Sequence, residues 1–359
     1  MQTEVCAALV STLSPHFALS KSRLMTLSFL IVGLAEARTV NLSHIACTLP
    51  GEALVASQYR RLQRFFQHVR LDQETVALLV VRMLNLSRPK CLALDRTNWK
   101  VGSSDINILV LAIVTRRFRV PLLWTVLDHR GNSSTAQRIA LMERYLALFD
   151  ARSIELLLAD REFIGADWIN FLNRNNIPFA IRLKIDQLLT DPAGRTLPFE
   201  SRLRRSRART RPVILSGTLA GVDATLAIAA KQLGTGEWLI VATNTSLSRK
   251  ALSDYARRWG VECLFGDTKT RGFNMEDTRL VNADKISTLM AVLTLAIAWA
   301  YRCATTVMVM KAIKRKSHGR RQKSWFRIGF DALRNWLTNS PDKALHAWRS
   351  NWPKRSLPA

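Results

Sequence analysis

The 359-residue chain carries 53 Lys and Arg against 27 Asp and Glu, a net charge of +26, while 48% of it is hydrophobic and 22% charged. That apolar content excludes a disordered chain, and the cation excess repels itself unless a polyanion neutralises it, which points to nucleic acid. An anionic membrane surface is the competing partner, disfavoured because the cations run along the whole chain rather than beside an apolar anchor.

The first 88 residues read as an all-α unit and are the expected N-terminal DNA-binding domain. "SRLMTLSFLIVGLAEA" and "ETVALLVVRMLNL" are apolar-periodic, and "SQYRRLQRFFQHVR" alternates cations with aromatics, so Arg60, Arg61, Arg64 and Arg70 could lie on DNA or form a solvated face. Pro89 breaks the helical register and sets a boundary near residue 88. From there "CLALD", "INILVLAIVT" and "VPLLWTVLD" predict three antiparallel strands. "NSSTAQRIALMERYLALF" opens on capping residues and continues as a helix; "IELLLAD", "GADWINFLNRNN" and "IPFAIRLK" add a strand, a helix and a strand. The order β-β-β-α-β-α-β describes an α/β fold, a mixed sheet flanked by helices in the ribonuclease H-like arrangement, over residues 89–184.

Residues 185–247 carry the cation cluster "RLRRSRARTRP". They continue through strand-like runs broken by Gly-containing turns, predicting an inserted β-rich subdomain. Residues 248–310 complete the core with a helix at about 248–265 and an apolar helix containing "ISTLMAVLTLAIAWAY". That run is 16 residues, short of the roughly 20 needed to span a bilayer, and predicts a buried core helix. A basic C-terminal region, 311–359, follows. Five cysteines, odd in number and without a C-x-x-C pair, argue for a reducing compartment and against a zinc site; no signal peptide is expected.

Asp95 ends "CLALD" and Asp160 ends "LLLAD". In this sheet order the two strands are parallel neighbours, so both carboxylates emerge at one sheet edge and repel unless a cation separates them. Hard oxygen ligands at strand ends suit Mg²⁺, whereas singly each Asp also reads as a helix cap. In "DYARRWGVECLFGDTKTRG", Tyr255, Arg258, Glu262 and Lys269 fall within a 60° arc at 100° per residue, a poor core face and a good one for a metal and a phosphodiester. The alternative is an Arg258–Glu262 surface pair, and Gly266 could stop the helix before Lys269. Asp105, Asp128 and Glu162 read as turn, loop or cap residues, Trp99 as packing, and His129 and His318 as isolated.

"LALDRTNWK", "LLADREFIG" and the Tyr255-x2-Arg258-x3-Glu262-x6-Lys269 spacing resemble the Asp-Asp-Glu (DDE) transposases of bacterial insertion sequences, in particular the IS-four family with its Tyr-Arg-Glu-Lys signature. The resemblance runs from about residue 90 to 330. It implies that Asp95, Asp160 and Glu262 are the catalytic triad and hold two Mg²⁺ ions about 4 Å apart, with Mn²⁺ able to substitute. It further implies that Tyr255, Arg258 and Lys269 contact end DNA near the cut, and that a DNA hairpin is an intermediate. A hairpin needs a base held on an aromatic platform, for which Trp238 is the candidate, a core strand residue being the alternative. The implied protein is a cytoplasmic, nucleoid-associated cut-and-paste enzyme. It would bind terminal inverted repeats and target DNA as a homodimer. A non-catalytic DNA-binding regulator, a domesticated remnant and a plain metal-dependent nuclease are the alternatives.

Overall fold

Leucine, isoleucine and valine runs too dense for a one-sided strand build the centre of a sheet covered on both faces. In the computed structural model, which describes residues 2–86, 90–204, 211–246, 248–310, 313, 316–317 and 321–350, the elements follow the predicted order. Helices α1 (Gln2–Leu13), α2 (Lys21–Ala37), α3 (Leu42–Thr48), α4 (Val55–His68) and α5 (Gln73–Met83) come first. The hairpins β1 (Lys90–Val101), β2 (Ser104–Val114) and β3 (Arg119–Leu127) follow, then α6 (Thr135–Leu148), β4 (Ile154–Ala159), α7 (Ala166–Arg174) and β5 (Phe179–Leu183). A small hairpin, β6 (Leu188–Thr190) and β7 (Thr196–Pro198), leads through α8 (Phe199–Leu203) to β8 (Val213–Gly217), β9 (Leu226–Gln232) and β10 (Trp238–Thr243). The chain closes with α9 (Ser248–Tyr255), α10 (Trp259–Thr268), α11 (Ala283–Met310), α12 (Trp325–Asn339) and α13 (Pro341–Arg349). The boundary at residue 88, residues 205–210 of the cation cluster, and much of the basic region after 310, His318 included, lie outside the described residues.

The main sheet runs β3-β2-β1-β4-β5-β10-β9-β8. Only β1–β4 and β4–β5 pair in parallel; the rest is antiparallel. The 3-2-1-4-5 order with helices packed on it is the ribonuclease H-like arrangement. The strands of the inserted segment do not stand apart: β10 pairs with β5, Ile240 opposite Leu183, and β9 and β8 extend the same sheet. Only the β6–β7 hairpin forms a separate ribbon among the described residues.

Local chemistry sets the element ends. Ser134 and Gln137 form a reciprocal capping box at the start of α6, and Asp72 accepts the Glu74 and Thr75 amides at α5, filling donors a helix start leaves open. Gly102, at φ +60, makes the tight β1–β2 connection. Helix α11 is long and apolar enough to cross a bilayer, yet 72% of that window is buried inside the protein, against α2, α5, α12 and β3. A single hydrophobic core therefore reaches from Val5 to Trp348. All five cysteines are free.

The α11–α12 crossing depends on Gly329, where an added Cβ would meet the Ala300 carbonyl oxygen at 1.8 Å. A backbone contact cannot rotate away, so Gly329→Ala is expected to cost about 1–3 kcal/mol, lowering the unfolding midpoint by several degrees. A variant that melts with the wild type would mean that the two helices are free to separate.

Candidate active site

The β1–β4 register decides the first two acids. Leu94 pairs with Ala159, so Asp95 and Asp160 are the next residues of two adjacent parallel strands and leave the sheet on the same face. Asp95 is not at the end of its strand: β1 continues to Val101 beside β2, and it is β4 that stops, one residue short of Asp160. Asp160 opens a turn closed by the Phe163 amide donating to its carbonyl.

The third acid arrives from α10. The predicted single helix is interrupted: α9 ends at Tyr255, Ala256–Arg258 form a 3-10 turn, and α10 begins at Trp259. The Arg257 guanidinium pins that turn to β4, donating to the Glu155 carboxylate at 2.6 Å. Gly260 lets α10 approach β2, where a Cβ would already stand 3.2 Å from Val114. Glu262 thereby comes over Asp95.

The carboxylates meet through their neighbours. Arg258 Nη1 donates to Asp95 Oδ2 at 2.9 Å, while its Nη2 donates to Glu262 Oε1. Tyr255 Oη donates to Asp160 Oδ1 at 3.0 Å, and the Arg258 guanidinium lies 5.8 Å from the Tyr255 ring centre. The Asp95 and Arg258 side chains are only 16% and 12% exposed, so their charges are poorly screened. Burial pushes the Asp95 carboxyl up to about 6 against the opposing pull of Arg258, and the nearby Glu162 and Asp160 charges push it the same way as burial. Burial would lower the Arg258 pKa; the surrounding Tyr255, Asp95, Asp160 and Glu262 outweigh it and raise the value.

Lys269 goes elsewhere. It caps α10 at its C-terminus and reaches the far part of β1, where Nζ donates to the Asn98 carbonyl at 3.2 Å, pairs with Glu276 at 2.7 Å and sits 6.0 Å from the Trp99 ring centre. Three residues along a strand are roughly 10 Å, so Lys269 lies beside the carboxylates rather than among them. Trp238 begins β10, half-buried, on a groove it shares with Arg161, Arg182 and Lys184.

Two residues that brace the site, Arg96 and Arg138, and an exposed neighbour of Arg258, Trp259, are not singled out by the sequence. Arg96 grips Glu162 with Nε and Nη2 at 2.7 and 2.8 Å and also donates to Asn107 and Asn132. Buried Arg138 donates to the carbonyls of Ser133, Glu162 and Ile164, fixing the loop after Asp160. Trp259, next to Arg258, is 64% exposed, unusual for its size. For the two arginines the signals lie in "DREFIG" and "STAQR": a second acid two residues after Asp160, and a cation on an apolar helix.

Among the described residues no three acidic, His or Cys side chains are grouped closely enough to hold an ion in this arrangement. The donor chemistry nevertheless suits one: Asp95 and Glu262, from two elements, already share a single cation, the Arg258 guanidinium, and Asp160, held by Tyr255, adds a third hard carboxylate from the strand beside Asp95.

A ribonuclease H-like sheet with acids gathered where β1 and β4 part defines a nucleic-acid-processing core. A family model described as Transposase DDE domain matches residues 86–299, well over half of the chain, and the chain belongs to that family. No curated protein sequence matches it significantly.

Proposed function

We propose that this DDE transposase is of the IS-four type and frees its insertion sequence by cutting at the terminal inverted repeats. Asp95, Asp160 and Glu262 are its catalytic acids and metal ligands, and Tyr255, Arg258 and Lys269 its contacts to end DNA. What supports this is the convergence of acids from β1, β4 and α10 onto Arg258 and Tyr255. Three elements far apart in sequence would not otherwise spend buried charge on one spot.

A divalent ion held by these carboxylates, Mg²⁺ or Mn²⁺, supplies Lewis-acid activation of the nucleophile and neutralises charge at phosphorus. The chain supplies the rest. Asp95 and Glu262 give up the guanidinium to the incoming phosphate, whose oxygens match its planar donors. Asp160, oriented by Tyr255 Oη, faces the same phosphate. In cleavage a water oxygen forms the new bond to phosphorus, the P–O3′ bond breaks, and the released 3′-oxygen takes up a proton. In transfer that 3′-hydroxyl oxygen forms the new bond to a phosphorus of a second duplex, the P–O3′ bond of that duplex breaks, and the proton lost by the hydroxyl is balanced by one taken up at the released 3′-oxygen. A hairpin route calls on an aromatic platform, for which Trp238 is the candidate, in a groove where Lys184 lies with Arg161 and Arg182, the latter two paired with Glu237. Two protomers acting together would hold both element ends.

The test is the chain with Mg²⁺ and a plasmid carrying the gene between its own flanks. Paired cuts at both flanks, hairpin ends on denaturing gels, and joining to a second plasmid are expected. Cutting without any joining would make the protein a nuclease, and binding without cutting a regulator.

A further inference from the structure

The strand ladder that sets Asp95 beside Asp160 ends at the pair Leu94–Ala159, one residue before either acid, so sheet hydrogen bonds do not fix the distance between the two carboxylates. Asp95 stays in a strand while Asp160 starts a loop, and their like charges favour separation. Each acid is tied to the α9–α10 junction, Asp95 by Arg258 and Asp160 by Tyr255, and neither bond joins one acid to the other. A different side chain crosses the gap. Arg96, the residue after Asp95, donates Nε and Nη2 to the two carboxylate oxygens of Glu162, two residues after Asp160, at 2.7 and 2.8 Å. The same guanidinium reaches Asn107 Oδ1 and Asn132 Oδ1, both at 3.0 Å, and Asn107 in turn donates to the His129 and Gly131 carbonyls. The Glu162 carbonyl accepts from Arg138 Nη2 at 3.1 Å, so Glu162 is held by its backbone as well as by its side chain.

Successive strand residues point to opposite faces, so Arg96 leaves β1 on the side away from Asp95. The pair therefore stands behind the acids, and its guanidinium engages both Glu162 oxygens, which makes Glu162 a partner of Arg96 rather than a fourth ligand. Stability does not account for the pair. Its side chains are 15% and 23% exposed, and an ion pair so covered loses much of its Coulomb gain to desolvation, so apolar residues would serve the fold as well. What a bidentate pair supplies, and an apolar one does not, is a fixed length and angle. We propose that Arg96 and Glu162 are positioning residues, a strut that fixes the separation of Asp95 and Asp160 and so sets the strength with which they hold a divalent ion. The proposal rests on the reading of those two aspartates as metal ligands and adds to it the pair that spaces them.

The experiment titrates Mn²⁺ into the full chain and follows its paramagnetic resonance signal, with melting midpoints in EDTA as the check on folding. Arg96→Gln is the decisive variant because two effects oppose each other there. It removes a positive charge near the site, which by Coulomb attraction alone would tighten Mn²⁺ binding. Loss of the strut would loosen it, and residues that orient metal ligands from behind contribute about 10–100-fold in metal affinity. Arg96→Gln is accordingly expected to weaken Mn²⁺ binding by about 10–100-fold. The double variant R96Q/E162Q removes one charge of each sign, so it strands no unpaired charge and keeps the test open if the single variant fails to fold. Net charge is unchanged in it, and charge alone predicts wild-type affinity, whereas the strut predicts the same 10–100-fold loss, roughly, as in the single variant. Either variant binding Mn²⁺ as tightly as the unmodified chain, or more tightly, would overturn the strut and leave the triad reading intact. Failure of the unmodified chain to bind millimolar Mn²⁺ would overturn both.

Discussion

Asp95→Asn, Asp160→Asn and Glu262→Gln, made singly, are expected each to cut end cleavage by at least roughly a thousandfold while duplex binding is kept. The amides preserve shape and lose the charge that makes each group a hard-cation ligand. Folding should survive at Asp95: burial already holds that carboxyl high, at about 6, so an amide relieves part of the burial penalty, and Arg258 keeps Glu262 as its counter-charge. DNA binding should hold or strengthen slightly, because each change removes one negative charge from a surface that attracts phosphate. Measuring cleavage and anisotropy on the same preparations separates the two. Any one variant that cuts within tenfold of the wild type would remove that residue from the triad.

The sheet was readable because its signals are local and redundant. The runs ending at Asp95 and Asp160, the capping residues before α6 and the length of the 286–301 apolar stretch each pointed one way. What was hidden depended on distant pairing. The partner of β10 is β5, about 60 residues earlier, and nothing in "EWLIVATN" distinguishes the edge of a separate subdomain from the next strand of the core. The continuation of β1 past Asp95 rests on alternation: Thr97 and Trp99 are buried while Asn98 and Lys100 are exposed, the pattern of a half-covered strand. Helical arithmetic brought Arg258 and Glu262 onto one face, and that survived the 3-10 interruption because it lies before Trp259. Beyond Thr268 the chain leaves the helix, so Lys269 could not be placed by angle. That Arg258 would face inward to two acids, rather than make a surface pair with Glu262 alone, depends on β1 lying beneath it.

Arg258→Ala is the second large effect, and it separates two roles of one guanidinium. In the metal-free chain the guanidinium is the only side-chain cation paired with an acid of the triad among the described residues, so its removal leaves the buried Asp95 carboxylate with the Arg96 amide, 2.8 Å from Oδ1, in place of a counter-charge. Stripping one partner from such a pair costs about 3–5 kcal/mol, and the unfolding midpoint in EDTA is expected to fall by several degrees. Millimolar Mn²⁺ is expected to restore it, because an ion can take the place between Asp95 and Glu262 that the guanidinium has left. For the same reason the variant should bind Mn²⁺ at least about tenfold more tightly than the wild type, in which an entering ion must first displace a cation; tenfold is only about 1.4 kcal/mol, well within what one competing charge supplies. End cleavage should still drop, since the donors that would receive the phosphate are gone. Titrating Mn²⁺ by its paramagnetic resonance signal, with and without DNA, measures this directly. If Arg258→Ala weakens Mn²⁺ binding instead, the guanidinium organises the acids rather than competing for them, and the exchange of Arg258 between carboxylate and phosphate is wrong.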